Sequence, residues 1–500
     1  MRAKKALYNS ITSLLLQVVT AVFGLILPGL MIRAFGSEAN GAISSISQFL
    51  GYISLIEAGV GGVARAALYG PLAEKNIKKI SGIINATERF FRKIAGIFVV
   101  YALVIAVIYP YITKSELEWI YTFVLVLIIA LSTFTQYYFG ITYSVLLNAD
   151  QSAYIVNIIQ IFTVILNSVL AIILIHVHCS LHIVKLVSSF IYIIRPILLK
   201  VFVTKKYQLD KTIIPDNAAV KARWNGLGHH IAYFLHNNTD IFLISIFLGL
   251  KFVSVYSIYY MIISTIKNII IALTGGVEAA FGNMIAQKEK KTLIRNFQLI
   301  ETLTGIFSVF LFSSTLILLF DFISIYTKGV QDVEYVLPVF GWTIVLSEML
   351  HCLKNPYHSL VLAAGHYKET QKGAFLEAGI NISVSLVAVL LWGLVGVVIG
   401  TIIATCYRIM DYIFYLKKHI IERPIKMFIK RQLVNIITFV CIIIVCYSVP
   451  FFVTASYFSW VLKAIIVVTI SMCITLFFNL IFYKEDLVLF LNKLKVAIKR

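Results

Sequence analysis

Charge is scarce in this sequence. Only 13% of its 500 residues are Asp, Glu, Lys or Arg, whereas soluble domains carry about 25%. Hydrophobic residues make up 60%, with a mean hydropathy of +0.91. No soluble core hides that much apolar surface, because single cores stop growing at roughly 250–300 residues. A soluble enzyme, a disordered chain and a secreted disulfide scaffold are therefore excluded. The six cysteines (Cys179, Cys352, Cys406, Cys441, Cys446 and Cys473) include no CxxC pair. Neither a zinc site nor a disulfide framework is indicated. The glycine-rich stretch Gly59-Val-Gly61-Gly62 has no Walker lysine and no strand before it, so it is no phosphate loop and no ATP module is expected. Its expected role is close helix packing or flexing.

What the sequence does have is long apolar runs. A helical span needs about 20 mostly apolar residues, and irregular backbone cannot face lipid. The expectation is an all-α polytopic membrane protein of about fourteen transmembrane helices. They fall near 9–32, 42–66, 94–112, 119–146, 153–176, 182–203, 227–249, 253–284, 297–320, 336–363, 374–392, 395–416, 432–452 and 458–482. The basic start Met1-Arg-Ala-Lys-Lys precedes an apolar run too long for a signal peptide, so it reads as a retained first span.

The net charge of +20 is distributed in short clusters between the apolar runs rather than along one basic face, which argues against nucleic acid. With both termini placed in the cytoplasm, 35 Lys and Arg fall inside, 5 outside and 3 within spans. That imbalance orients the chain as a multi-pass plasma-membrane protein with both ends cytoplasmic. No segment expected outside exceeds about 15 residues, so there is no room for the external catalytic loops of membrane polymerases or glycosyltransferases. An enzyme is not expected. Segments 69–93, 204–226 and 417–431 mix basic and apolar residues, as helices lying on an anionic membrane surface do.

Two short echoes indicate an internal repeat. Glu57-Ala-Gly-Val-Gly61 returns as Glu278-Ala-Ala-Phe-Gly282, and Ser144-Val-Leu-Leu-Asn-Ala149 as Ser359-Leu-Val-Leu-Ala-Ala364. Span two then maps on eight and four on ten, so the two copies have six spans each and the same topology. The expected domains are an N-terminal lobe (1–204), a cytoplasmic linker (205–226), a C-terminal lobe (227–416), an amphipathic segment (417–431), two extra spans (432–482) and a basic tail (483–500).

Polar residues recur at helical spacing inside four spans. Span two carries Ser54, Glu57, Gly61 and Arg65; span seven carries His229, Tyr233, His236, Asn237 and Asp240. Span eight carries Tyr260, Ser264, Lys267, Thr274 and Glu278; span ten carries Glu348, His351, Asn355 and His358, with Lys354 beside them. A charge at the bilayer centre costs at least roughly 2.5–3.5 kcal/mol, so such stripes are either mutually satisfied or line a hydrated cavity. A cavity holding Arg65, Lys267 and Lys354 would suit a phosphate or diphosphate. Glu57, Asp240, Glu278, Glu348 and His236 are the candidates for carrying a coupling ion (H⁺ or Na⁺) or for tuning the cations. The span-seven histidines lack the ligand spacing of a zinc site, and no other cofactor is indicated.

At Phe35-Gly-Ser-Glu-Ala-Asn-Gly41 and from Glu57-Ala-Gly-Val-Gly-Gly-Val-Ala-Arg65 to Ala73, the chain resembles the oligosaccharide flippases. These are the polysaccharide export proteins of the multidrug/oligosaccharidyl-lipid/polysaccharide (MOP) exporter superfamily. The similarity continues through Thr87–Lys93, Asn238-Thr-Asp240, Val253–Tyr259 and Phe281-Gly-Asn283. It implies two six-helix lobes in a pseudo-two-fold V-shaped arrangement with two additional C-terminal helices. The implied cargo is a polyprenyl-diphosphate-linked saccharide moved from the inner to the outer leaflet of a bacterial plasma membrane by alternating access. By the same resemblance, Arg65 and Lys267 meet the diphosphate, and spans 13 and 14 offer a groove for the lipid tail. The protein is expected to act as a monomer among membrane lipids, alongside polysaccharide assembly machinery. Lipid II flippases carry several arginines along their first spans, and this chain has none between Arg2 and Arg33, which argues against lipid II as cargo. A cation-coupled drug antiporter of the same superfamily is the alternative.

Overall fold

The computed structural model describes residues 2–57, 59–113, 115–216, 227–274, 277–451 and 454–498. Every regular element among them is helical. The chain divides into two compact units, residues 1–257 with 330–333, and residues 258–329 with 334–500. The first holds α1 (Arg2–Gly51), α2 (Ser54–Glu57), α3 (Val60–Ala73), α4 (Ile77–Ile112), α5 (Trp119–Thr135) and a π-helical turn (Gln136–Gly140). It continues with α6 (Ile141–Ala149), α7 (Ala153–His176), α8 (Leu181–Tyr207), α9 (Leu227–Phe247) and the start of α10 (Leu250–Thr274). The second holds the rest of α10, α11 (Val277–Ala286), α12 (Lys290–Tyr326), α13 (Pro338–Ala363), α14 (Tyr367–His419), α15 (Ile425–Ser448), α16 (Tyr457–Phe482) and α17 (Lys484–Ile498). The repeat divides the sequence at residues 205–226, whereas the compact units divide inside α10.

Among the described residues, ten helices are long and apolar enough to cross a membrane. Two of them are too long to cross it once. α1 has 50 residues and α14 has 53, roughly 75–80 Å at 1.5 Å per residue, against a hydrocarbon core of about 30 Å. A glycine breaks each one. Gly36 has φ 83° and Gly393 has φ 57°, values that L side chains rarely adopt. The two halves of α14 return on each other as a hairpin, with Ser385 Oγ donating to Val397 O at 2.9 Å and Asn381 Nδ2 to Thr401 Oγ1 at 2.9 Å. The halves of α1 also run in opposite directions. Lys5 and Asn9 lie beside Asp150 and Gln151, Ser37 lies beside Asp332, and Tyr101 then donates to Phe49 O. Counting these halves, with the more polar α9 and α13, yields the fourteen spans that the apolar runs predict.

The contacts also sort the loops by face. In the first unit Lys5, Asp150, Lys206 and Tyr207 meet at one face. Glu38, Ser115, Glu116, Lys251 and Asp332 meet at the other. In the second unit Glu301, Arg423, Arg431 and Asp486 gather at one face, and Asp321 and Lys463 near the other. Each grouping is the one that alternating spans require.

Three local expectations change. Arg423 and Arg431, both in the amphipathic segment 417–431, turn inward to the buried Glu301 at 2.6 and 3.1 Å rather than lying on a surface. A buried carboxylate draws them in, since it cannot stay ionised alone. Much of the tail 483–500 is helix α17, whose Asp486 accepts from Thr302 at 2.5 Å. Segment 69–93 is likewise no separate surface helix, because its second part runs unbroken into the third span as α4.

Candidate functional site

The first copy of the first echo falls at a break in the helix. Glu57 ends α2, Gly59 takes a left-handed φ of 79°, and α3 starts at Val60. In the second copy α10 ends at Thr274 and Glu278 lies in the first turn of α11. The copies of the second echo close α6 and α13.

Within the first unit, α2, α5, the π-helical turn, α6, α7 and α8 surround a cavity of about 730 Å³. Glu57, Gln136, Tyr137, Gln160, Tyr192 and Arg195 are among its lining residues. Tyr137 donates to Glu57 Oε2 at 3.3 Å. Arg195 donates to Thr163 Oγ1 at 3.1 Å, and its guanidinium lies 5.3 Å from the Tyr192 ring centroid. An acid and a guanidinium thus share one polar cavity without an ion pair between them.

The second half of α1 lies against α9 and α10 through a ladder of polar contacts. Asn40 Nδ2 donates to Ser254 Oγ at 2.8 Å, and the Ser45 and Ser245 hydroxyls are 2.6 Å apart. Gln48 Nε2 donates to Asn238 Oδ1 at 2.5 Å, and Tyr52 donates to Asn238 O at 3.0 Å. Gly41 allows this approach, since a Cβ there would lie 1.8 Å from Leu250 O. Beyond the ladder, Ser37 donates to Asp332 at 2.6 Å and Lys251 pairs with Glu116 at 2.9 Å. Asp240 is buried next to the ladder and accepts from Tyr256 at 2.9 Å; His236 is buried one turn earlier. The side chains of His229, Tyr233 and Asn237 lie outside the described residues.

In the second unit Lys267 reaches Glu348 at 2.8 Å and Tyr260 at 3.4 Å, so two of the predicted stripes meet through an ion pair. Lys354 pairs with Glu377 at 2.6 Å, and Arg408, one of the most buried side chains in the chain, reaches Glu377 at 3.5 Å and Asp411 at 2.5 Å. Tyr412 lies under Arg408 at 4.1 Å and bonds His358 at 2.7 Å. Lys354 is thus held in a neutral network of two cations and two acids. Glu278 is exposed, as is Arg65, which has no acidic partner among the described residues.

Arg195, Glu301, Glu377 and Arg408 escape a search for stripes. Each is a single charge near the end of an apolar run, where a residue that enters the unit looks the same as one that faces water.

No family model and no curated protein matches the chain. Solved structures do. A structure titled as a lipid II flippase, MurJ, in an inward closed conformation superposes on 95% of this chain and 99% of its own, with a TM-score of 0.70 at 16% identity. An inward-facing multidrug resistance MATE transporter of the MOP superfamily covers 80% of this chain and 96% of its own, with a TM-score of 0.63 at 15% identity. A eukaryotic MATE transporter covers 83% and 96%, with a TM-score of 0.58 at 12% identity. The fold is that of a multi-pass membrane protein, shared with structures that are named as a flippase and as transporters, one of them of the MOP superfamily, rather than as enzymes.

Proposed function

We propose that this protein is a flippase that carries a polyprenyl-diphosphate-linked oligosaccharide, a repeat unit of a capsule or exopolysaccharide, from the inner to the outer leaflet of a bacterial plasma membrane. The observation that carries the proposal is the set of cations inside apolar spans. Lys267 lies mid-span with Glu348 and Tyr260 for company, and Arg65 stands exposed on α3 with no acidic partner among the described residues. A diphosphate is the cargo group that such charges suit, with Arg offering bidentate geometry. The extent of the fold supports the same reading. The flippase structure spans nearly the whole chain, 95%, whereas the two MATE structures leave a sixth or more of it unmatched. The α1 ladder supports alternating access, because side-chain hydrogen bonds contribute only about 0.5–1.5 kcal/mol each and part reversibly.

In this reading Lys267 and Arg65 meet the diphosphate, and Glu348 is the partner that Lys267 exchanges for it. Glu57 and Asp240 bias the cycle by taking up H⁺ or Na⁺. The experiment is deletion of the gene, extraction of polyprenyl-linked saccharides, and probing of their orientation with an impermeable reagent. Complete oligosaccharide trapped facing inward, with loss of surface glycan, is the expected result, and its mass identifies the cargo. The cation-coupled antiporter is the second reading, favoured by the acidic Glu57 in the 730 Å³ cavity. Normal glycan with altered drug sensitivity would support it instead.

A further inference from the structure

Residues 208–216 form a strap along the first turns of α4, on the face of the first unit that carries Lys5 and Asp150. Four hydrogen bonds hold it there. Asn85 Nδ2 donates to Asp210 O at 3.1 Å and to Ile213 O at 2.9 Å. Asp210 N donates to Ser81 Oγ at 3.1 Å, and Asp216 N to Gly82 O at 3.0 Å. Between strap and helix lies a groove of about 750 Å³. Its charged lining is Arg89, Arg92, Lys93 and Lys211 against one carboxylate, Glu88.

Cations on this face are of two kinds. Lys5 and Lys206 pair with Asp150 and Lys79 with Glu74, whereas Lys75, Lys78 and Lys205 stand singly and exposed, with no acidic partner among the described residues. What sets the groove apart is that its cations converge on one cavity. In the groove only Arg92 is paired, to Glu88 at 2.5 Å, and it also lies over the Tyr138 ring. Arg89, Lys93 and Lys211 have no acidic partner among the described residues, although the strap fixes the backbone of Lys211 opposite the other two. Charges that only set topology need no such convergence. The α4 sequence turns apolar at Ile94, directly after Lys93, so the groove lies at the height where a lipid's phosphates meet water.

We propose that this groove is a loading site for the diphosphate head of the lipid-linked carrier, separate from Lys267 and Arg65. The inference rests on the flippase reading. The charge balance is the reason to choose a diphosphate. Linked phosphates each carry an ionised oxygen, which the unpaired cations answer, whereas a single phosphodiester leaves most of that positive charge uncompensated. Lipid phosphates at this depth gain from nearby Lys and Arg side chains without the cost of entering the bilayer core.

The test uses full-length protein in phosphatidylcholine nanodiscs, with farnesyl diphosphate as probe and farnesyl monophosphate for comparison. The variants are Arg89→Gln/Lys93→Gln/Lys211→Gln, a control that removes equal charge on exposed neighbours (Lys75→Gln/Lys78→Gln/Lys205→Gln), and Lys267→Ala. The groove variant is expected to weaken diphosphate binding about tenfold or more, with a smaller loss for the monophosphate, while the control keeps wild-type affinity. Equal losses in groove and control variants would overturn the inference by showing a general surface-charge effect. Displacement of the probe by cardiolipin-containing bilayers would overturn it by assigning the groove to a phospholipid. Binding lost in Lys267→Ala but unchanged in the groove variant would remove the loading site and leave the flippase reading intact. Failure of the wild-type protein to bind the probe at all would count against both.

Discussion

Lys267 lies 2.8 Å from Glu348, so removing either side chain strands the other charge within the unit. Breaking such a pair typically costs about 3–5 kcal/mol, whereas replacing both members together is often neutral. Lys267→Met and Glu348→Gln are each expected to lower the unfolding midpoint in detergent, and the double variant to recover it. If the ammonium meets the cargo, the double variant folds yet does not transport; a purely structural pair would transport normally. Gly41→Ala is expected to be among the most damaging single-methyl additions, since its Cβ would lie 1.8 Å from Leu250 O. The cost should be about 1–3 kcal/mol or more, read as reduced yield of folded protein. At this scale the sequence was only partly legible. Lys267 and Glu348 stand on apolar helix faces and announce themselves. Glu301 does not, because its partner Arg423 is 122 positions away and chain order does not show that the two meet.

At the element scale, the proposed alternating access requires the ladder joining the second half of α1 to α9 and α10 to part in each cycle. Ser45 and Ser245, with hydroxyls 2.6 Å apart, are the pair to test by cross-linking. Ser45→Cys/Ser245→Cys is expected to lose transport under oxidation and regain it on reduction, against the background of the chain's own six cysteines. Unimpaired transport by the oxidised variant would show that the ladder need not open. At the opposite face, Asp150 ties together α1, α8 and the turn between α6 and α7. Burial alone would push its carboxyl up, but hydrogen bonds from Tyr207, Lys206 and Lys5 hold it at about 2. A depressed carboxylate stabilises the fold above its ordinary value near 3.8, and that contribution is lost as pH falls from there through about 2. Asp150→Asn should therefore cost ~1 kcal/mol near neutral pH, the upper range for a partly exposed ion pair. The variant's stability, followed by thermal unfolding, should also fall less than wild type between pH 4 and 2. Helix positions were legible because length and apolarity set them. The breaks at Gly36 and Gly393 were legible only as gaps between apolar runs, since a glycine's φ is decided by what packs around it.

For the whole molecule, one echo, Glu57 to Gly61, coincides with a helix break at Gly59. A composition of 13% charge and 60% hydrophobic residues was enough for the fold class, and the superposition on MOP exporters agrees. The proposed cargo is less legible, because a lipid-linked sugar would be met by a few charges that structural ion pairs also use. Lys354 illustrates this, with the same residue type and placement as Lys267 but Glu377 and Arg408 around it. The most direct measurement of the central claim is flipping by purified protein in proteoliposomes. A labelled polyprenyl-diphosphate disaccharide is incorporated, and the fraction reached by an impermeable reagent is followed over time. Wild-type protein is predicted to make the inward-facing pool accessible faster than protein-free vesicles do, and Lys267→Met/Glu348→Gln to give the protein-free rate. Identical rates for wild-type protein and protein-free vesicles would contradict the account.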